Sequence, residues 1–240
     1  MNKKASAVMA PDVRSAIHKW MIQAALGAVA YGAIIFLSAG SLRWVWGWAL
    51  LLILVAMLAA HPLLLIPINP ELLAEREKGM LDEGVKWWDK WLTTSSGTMM
   101  IVSWVIAGLD VRWGWTANWP LAAHLVGLLF TALGHALFMW AMTANAFFAE
   151  GVRIQTERGH TVAAGGPYRF VRHPGYVGAI VSNVATPLLL GSWWALLPAA
   201  VLTALFVLRT ALEDRTLQAE LPGYTEFTRQ TRYRLLPGVW

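Results

Sequence analysis

Long uncharged stretches alternate with short charged ones along the chain. Residues 20–38 hold no charge and predict a first membrane span, since about 20 apolar residues cover a hydrocarbon core of about 30 Å. Ser41-Leu42-Arg43 makes a tight connection to a second span over 44–68, ended by Pro62, Pro67 and Pro70. Residues 69–90 turn polar. Asn69-Pro70-Glu71 opens a short helix through Arg76, and Gly79 and Gly84 break it. The segment reads as amphipathic and ends in Trp87-Trp88-Asp89-Lys90-Trp91. A third span follows over 92–109, then a tryptophan-rich loop from Asp110 to Pro120.

Residues 113–149 form 37 consecutive positions without Asp, Glu, Lys or Arg. Pro120 splits off the beginning, which leaves a predicted fourth helix over 121–148, long enough to tilt or to project from the membrane. The last apolar run, 173–208, is 36 residues long. As one helix it would measure about 54 Å, far more than a bilayer. Pro187 and Gly191-Ser192 break it, so the pattern predicts a helical hairpin of 174–190 and 193–212. Its second helix continues to Glu220 and stops at Leu221-Pro222-Gly223. The fold class is therefore all-α: a polytopic membrane helical bundle of about six transmembrane helices, the last two forming a hairpin.

Composition agrees. Of 240 residues, 57% are hydrophobic and 14% charged, too apolar for an ordinary soluble domain. The lysine- and arginine-bearing start, with Lys3, Lys4, Arg14 and Lys19, leads into an apolar stretch without a small-residue cleavage pattern, so an uncleaved first span is expected. Seventeen Lys and Arg fall on the side of the two termini, and only Arg43 and Arg112 on the other. That asymmetry predicts cytoplasmic N- and C-termini. It also accounts for the net charge of +5 through orientation and contact with the lipid bilayer, so nucleic acid is not required as a partner. Trp44, Trp46, Trp48, Trp113, Trp115, Trp119, Trp193 and Trp194 fall at the predicted outer ends, as an interfacial belt would.

Candidate chemistry gathers on the basic side. Gly165 to Gly178 packs two arginines, a histidine, two tyrosines and two prolines between two apolar runs. Pro174 forces His173 out of helical geometry and suits the first position of the next helix. The free N–H groups of that turn make a site for a carboxylate or phosphate, with Arg169 and Arg172 adding charge; the same pattern also describes a basic membrane stop before an ordinary helix start. Arg209 and Glu213 lie at i,i+4 on one helix face. A carboxylate this near an apolar span needs a partner, either a cationic ligand or an intrahelical ion pair with Arg209. Glu213 carries more weight than Asp214 because it lies nearer the apolar part of the helix. The hairpin returns Glu213 to the same face as His173. Asn145 with Phe147, and Gln155 with His160 in the loop beyond, are either pocket-lining groups or ordinary helix-end and loop residues. His124 and His135 sit about 16 Å apart on one helix face, too far for one metal site, which leaves packing or interhelical hydrogen bonding.

Several sites are missing from the sequence. With no Cys there is no disulfide framework, thiolate metal site or cysteine nucleophile. No dinucleotide-binding glycine motif, P-loop lysine, metal-ligand spacing or nucleophile elbow occurs. No metal is expected.

The pattern Gly166-Pro167-Tyr168-Arg169-x-x-Arg172-His173-Pro174-x-Tyr176-x-Gly178, then Glu213-Asp214, Leu221-Pro222-Gly223-Tyr224 and Tyr233-Arg234-Leu235-Leu236-Pro237-Gly238, closely resembles the isoprenylcysteine carboxyl methyltransferase family and the related phospholipid methyltransferases. The resemblance is strong over 145–240 and weaker over the Asn69-to-Trp91 loop. The family's usual acidic pair is Glu-Glu; here it is Glu213-Asp214. The resemblance implies a bacterial-type integral membrane enzyme, in the inner membrane, that uses S-adenosylmethionine as cofactor. It divides the chain into N-terminal spans (1–144) with a cytoplasmic amphipathic loop (69–91) and a catalytic, cofactor-binding half (145–240). By motif position, Gly166, Pro167, Tyr168, His173, Pro174, Tyr176 and Gly178 hold the cofactor, and Glu213 meets its cationic end. Gln155 and His160 join this cofactor set, while Asn145, Phe147 and Arg209 face the substrate.

Methyl transfer from a sulfonium is an in-line displacement that needs a nucleophile at about 3–3.5 Å. A carboxylate acceptor needs only a cation to orient it, with Arg209 the first candidate and Arg172 the second. An amine acceptor needs a base, and Glu213 is placed for that role. The lipophilic small-molecule substrate is expected to enter from the lipid between the fourth and fifth spans. Membrane sterol reductases resemble the same motif but bind NADPH, and a non-catalytic membrane scaffold is a third reading. Short length and the tail from Glu213 to Pro237 favour the methyltransferase. The sequence names no protein partner.

Overall fold

The computed structural model describes residues 11–81 and 84–240, and all regular structure among them is helical. Lys3 and Lys4 lie outside the described residues. The helices are α1 (Pro11–Ala39), α2 (Val45–Ile68), α3 (Pro70–Lys78), α4 (Trp87–Trp113), α5 (Leu121–Thr143), α6 (Pro174–Leu190), α7 (Leu196–Glu220) and α8 (Tyr224–Gln230). Five of them (α1, α2, α4, α5 and α7) are long and apolar enough to cross a membrane, and the shorter apolar α6 completes a six-helix bundle. Large apolar side chains such as Leu26, Leu52, Leu125 and Val201 point outward, as a lipid-facing surface requires. The chain is a multi-pass integral membrane protein.

The predicted hairpin is present. α6 ends at Gly191, whose φ of 79° is left-handed, and the chain turns at Ser192 into α7. Asp110 pins that turn from α4: Ser192 Oγ donates to it at 2.5 Å and Thr116 Oγ1 at 2.7 Å. The closest helix approach is between α5 and α6. A Cβ on Gly134 would fall 2.5 Å from the Ser182 amide nitrogen, and one on Gly178 would fall 2.5 Å from the Gly134 carbonyl oxygen. Only the absence of side chains lets these backbones meet.

α3 is held where the sequence places it. Asn69 caps it, its Oδ1 accepting from Leu72 N at 3.1 Å, with Pro70 in the first turn. Leu72 and Leu73 insert among Ile17, Trp20, Leu65, Met139 and Met142, which fastens this amphipathic helix beneath α1, α2 and α5.

Several boundaries differ from expectation, and α1 begins at Pro11 rather than at residue 20. α4 begins at Trp87 and runs to Trp113, so the Trp87–Trp91 segment is the first turn of the third span. Trp87 and Trp91 face outward while Asp89 is buried, a one-sided burial that suits a continuous helix. α5 stops at Thr143 rather than 148, because Asn145 Oδ1 accepts from Phe147 N at 2.9 Å and offers the backbone a turn in place of the helix. The tryptophan belt is also partial. Trp48, Trp113, Trp115, Trp193 and Trp194 are exposed, but Trp44 is buried and Trp46 stacks on His124 at 4.2 Å. His124 Nδ1 bonds across to Leu189 O at 2.7 Å, and His135 Nδ1 bonds within its own helix to Thr131 O at 2.9 Å.

Candidate functional site

The motif residues converge on one carboxylate. Asp214 on α7 is fully buried. Arg172 grips it with two bonds, Nε to Oδ1 at 2.7 Å and Nη2 to Oδ2 at 2.9 Å. Arg234 Nε (2.8 Å), Gln218 Nε2 (2.8 Å) and Tyr224 Oη (3.0 Å) also donate to it, and His173 Nε2 lies at 3.2 Å. Arg172 Nη1 donates further to the carbonyls of Thr231 and Arg232. The amides of Arg172 and His173 pair with the Tyr233 and Arg234 carbonyls. The start of α6, α7, α8 and the C-terminal segment are thus joined at a single point. Burial and the neighbouring Asp214 push the Tyr224 phenol well above its usual range, which keeps it a donor.

Against this knot lies a cavity of about 310 Å³, at the small end of the range for small-molecule sites. Glu213, one residue before Asp214, faces it. Glu213 accepts from Tyr176 Oη at 2.5 Å and makes no ion pair among the described residues. The cavity wall also includes His173, Tyr168, Asn145, Phe147 and His160. Asn145 Nδ2 donates to Tyr168 Oη at 3.3 Å, and burial raises the Tyr168 phenol pKa further above neutrality. Phe147 and His160 stack at 4.5 Å between ring centroids. Gln155 N donates to His160 Nδ1 at 3.3 Å, and burial, with Arg158 and Arg153 nearby, lowers the His160 pKa to about 4. The ring is therefore neutral at ordinary pH, an apolar face and not a cation.

Two arginines, Arg209 and Arg76, also line the cavity. Arg209 does not pair with Glu213 in the intrahelical bridge its spacing allows. Its Nε and Nη2 bond Asp89 at 2.6 and 3.0 Å, and Nη2 also donates to Glu150 O at 2.6 Å. Its guanidinium lies 5.3 Å from the Tyr176 ring centre, a cation–π distance. Asp89 also accepts from Val152 N at 2.7 Å, so it ties the 149–153 segment and α7 to the start of α4. Arg76 on α3 bonds Glu150 Oε1 at 3.2 Å and Phe148 O at 3.3 Å.

The structure brings together most of the sequence-predicted set: Asn145, Phe147, His160, Tyr168, Arg172, His173, Tyr176, Arg209 and Glu213 line one cavity. Five others do not line it. Gln155 is buried, its Nε2 spent on Phe147 O at 2.9 Å and its Oε1 on Arg158, so it supports the loop. Gly166 takes a left-handed φ of 56° beside Trp140 and Ala144, and Pro167 follows it in the same turn. Pro174 opens α6, and Gly178 serves the α5–α6 contact. Arg172 lines the cavity, but its donors are committed to Asp214 and the C-terminal carbonyls, which makes it the weaker substrate cation. Sequence reasoning gave no site role to Asp89, Glu150, Arg76 or Thr93, and it quoted Asp214 and Tyr224 in the motif without assigning them one. Among the described residues no group of three or more His, Asp or Glu is placed to hold a metal ion.

The profile of the isoprenylcysteine carboxyl methyltransferase (ICMT) family matches residues 125–219. This bears out the resemblance read from the motif over that stretch, which includes most of α5, all of α6, all of α7 but its last residue, and the loop lining the cavity; the motif segments from Leu221 onward lie outside the match. No curated protein matches the chain.

Proposed function

We propose, on the premise of that family match, that the chain is an S-adenosylmethionine-dependent methyltransferase acting on a lipophilic acceptor at the cytoplasmic face of the membrane. The observation that carries the reading is Glu213: a carboxylate at the end of a membrane helix, facing a cavity, with a phenol but no ion-pair partner among the described residues. Such a charge calls for a cation, and a sulfonium with its attached ammonium is one. The donor set fits the cofactor in its other parts as well: the Phe147–His160 pair offers a flat apolar face for a purine, and Tyr168 and Tyr176 offer aromatic contact to positive charge.

S-adenosylmethionine, when bound, supplies an electrophilic methyl group. The protein's own residues then bind and orient. Glu213 balances positive charge and is held in direction by Tyr176. Arg209, fixed by Asp89, keeps a guanidinium on the cavity wall to orient an acceptor oxygen. A carboxylate acceptor needs no proton removed, so transfer depends on alignment and exclusion of water. The basic side chains at the cavity's end of the bundle support cytoplasmic termini by the positive-inside rule, in a bacterial inner membrane. The acceptor comes from the lipid, but the close backbone contact of α5 with α6 at Gly127, Gly134 and Gly178 bars the entry between these two helices that the sequence suggested.

Purified protein is incubated with methyl-labelled S-adenosylmethionine and a total lipid extract. The expected result is label in an organic-soluble product, stable to neutral pH and released by mild base as an ester would be. Base-stable label would identify an amine acceptor, and no lipid label would count against the reading.

A further inference from the structure

Two polar side-chain atoms lining the cavity have no hydrogen-bond partner among the described residues. Arg76 Nε and Thr93 Oγ1 are buried without a hydrogen bond, although both residues line the cavity. The Arg76 side chain is 10% exposed, so water does not compensate freely. Leaving such donors unpaired destabilises the fold unless something else uses them. Both belong to the N-terminal half, Arg76 to α3 and Thr93 to α4, outside the stretch that matches the family.

A chain of contacts links their positions. Thr93 lies four residues after Asp89, so the two share a face of α4, and Asp89 holds Arg209. Arg209 donates to the Glu150 carbonyl, and the Glu150 side chain pairs with Arg76. Burial first, and Arg209 nearby, disfavour the Arg76 charge, which Glu150 favours. Asp89 and Glu150 offset two guanidiniums, but neither acidic side chain satisfies Arg76 Nε. An N–H from a guanidinium and an O–H, beside a second guanidinium, form a receptor for an oxyanion with two acceptor atoms.

We propose that Arg76 and Thr93 bind a carboxylate at this end of the cavity, with Arg209 as the flanking charge. This deepens the methyltransferase reading and rests on it only for the identity of the carboxylate, which is that of the methyl acceptor or that of the cofactor. α3 is then more than a surface helix: it delivers the arginine that selects an anionic ligand.

Four ligands separate the sources. Binding is measured by calorimetry for S-adenosylmethionine and its decarboxylated analogue, and for N-dodecanoylglycine and its uncharged amide. Each is tested on wild type, Thr93→Val, which keeps the side chain's shape, and Arg76→Lys, which keeps the charge beside Glu150 but removes Nε. The expected result is a wild-type preference for the acid in one pair, reduced by about tenfold in each variant, with the matched uncharged ligand unaffected. Preference within the acylglycine pair assigns the site to the acceptor, and preference within the other pair assigns it to the cofactor. No acid preference in either pair, or an acid preference that survives both variants, overturns the proposal. Failure of S-adenosylmethionine to bind wild type would refute the cofactor reading separately, since the acylglycine pair still tests the anion site.

Discussion

Asp214 and Glu213 are adjacent carboxylates with opposite expected consequences. Asp214→Asn replaces an anion that receives donors from Arg172, Arg234, Gln218 and Tyr224. The asparagine amide turns one acceptor into a donor that faces other donors, and it leaves the Arg172 guanidinium buried without its counter-charge. Removing one partner from such a pair costs about 3–5 kcal/mol. For a chain of this size each kcal/mol moves the midpoint by about 2–4 °C, so a fall of roughly 6–20 °C is expected. Glu213→Gln removes a carboxylate whose hydrogen bond, among the described residues, comes from Tyr176. An amide oxygen can still accept that bond, so the midpoint should move by no more than about 1 kcal/mol's worth. Thermal unfolding in detergent gives both midpoints. Limited proteolysis of residues 221–240 adds a local readout, because the knot is what fastens α8 and the C-terminal segment. The reasoning is refuted if Asp214→Asn unfolds at the wild-type temperature with its C-terminus still protected, or if Glu213→Gln is the more destabilised of the two.

Asp89→Asn should lower stability by a similar amount, about 3–5 kcal/mol, since it strands the buried Arg209 charge; unfolding in detergent reads it. Gly134→Val should prevent α5 from seating on α6, giving aggregated or unfolded material on size exclusion, whereas Gly97→Val, with nothing within 4 Å of the new Cβ, should behave as wild type. His160 should titrate near pH 4 by NMR of labelled imidazole. Its folded pKa lies below the unfolded value of about 6.5, so the unfolded state takes up the proton first: the stability linked to His160 is complete above about pH 6.5 and is lost as the pH falls toward 4. His160→Phe should flatten that part of the stability profile; an unchanged profile would contradict the linkage.

The layout of the spans was legible because each is an uninterrupted apolar run, and the α6–α7 turn because Gly191 marks a backbone conformation few residues adopt. The α5 terminus was not, since Asn145 acts through a local bond to Phe147 and an uncharged run gives no sign of it. The site divides in the same way. Glu213 and His173 could be paired from the hairpin alone. Position along the helix favoured Glu213 over Asp214 as the acid facing a ligand, and Glu213 does line the cavity; the role of Asp214 could not be read, because neighbours on a helix point about 100° apart and its partners come from distant segments. Arg209 shows the limit most plainly. Its i,i+4 spacing pointed to Glu213, yet its partner is Asp89, far away in the chain, and a single buried bidentate contact outweighs an i,i+4 bridge worth about 0.2–0.5 kcal/mol. Arg76 and Thr93 carried no sequence signal at all: an arginine on an amphipathic helix and a threonine in a span are ordinary until the fold sets them against a cavity.

Side-by-side calorimetric titration of S-adenosylmethionine and NADPH tests the central claim most directly, on wild type and on Glu213→Gln with its midpoint verified. Binding of S-adenosylmethionine and not NADPH to wild type, weakened by about tenfold or more in Glu213→Gln, is the predicted result. Binding of NADPH alone, or equal affinity of wild type and Glu213→Gln for S-adenosylmethionine, would contradict it.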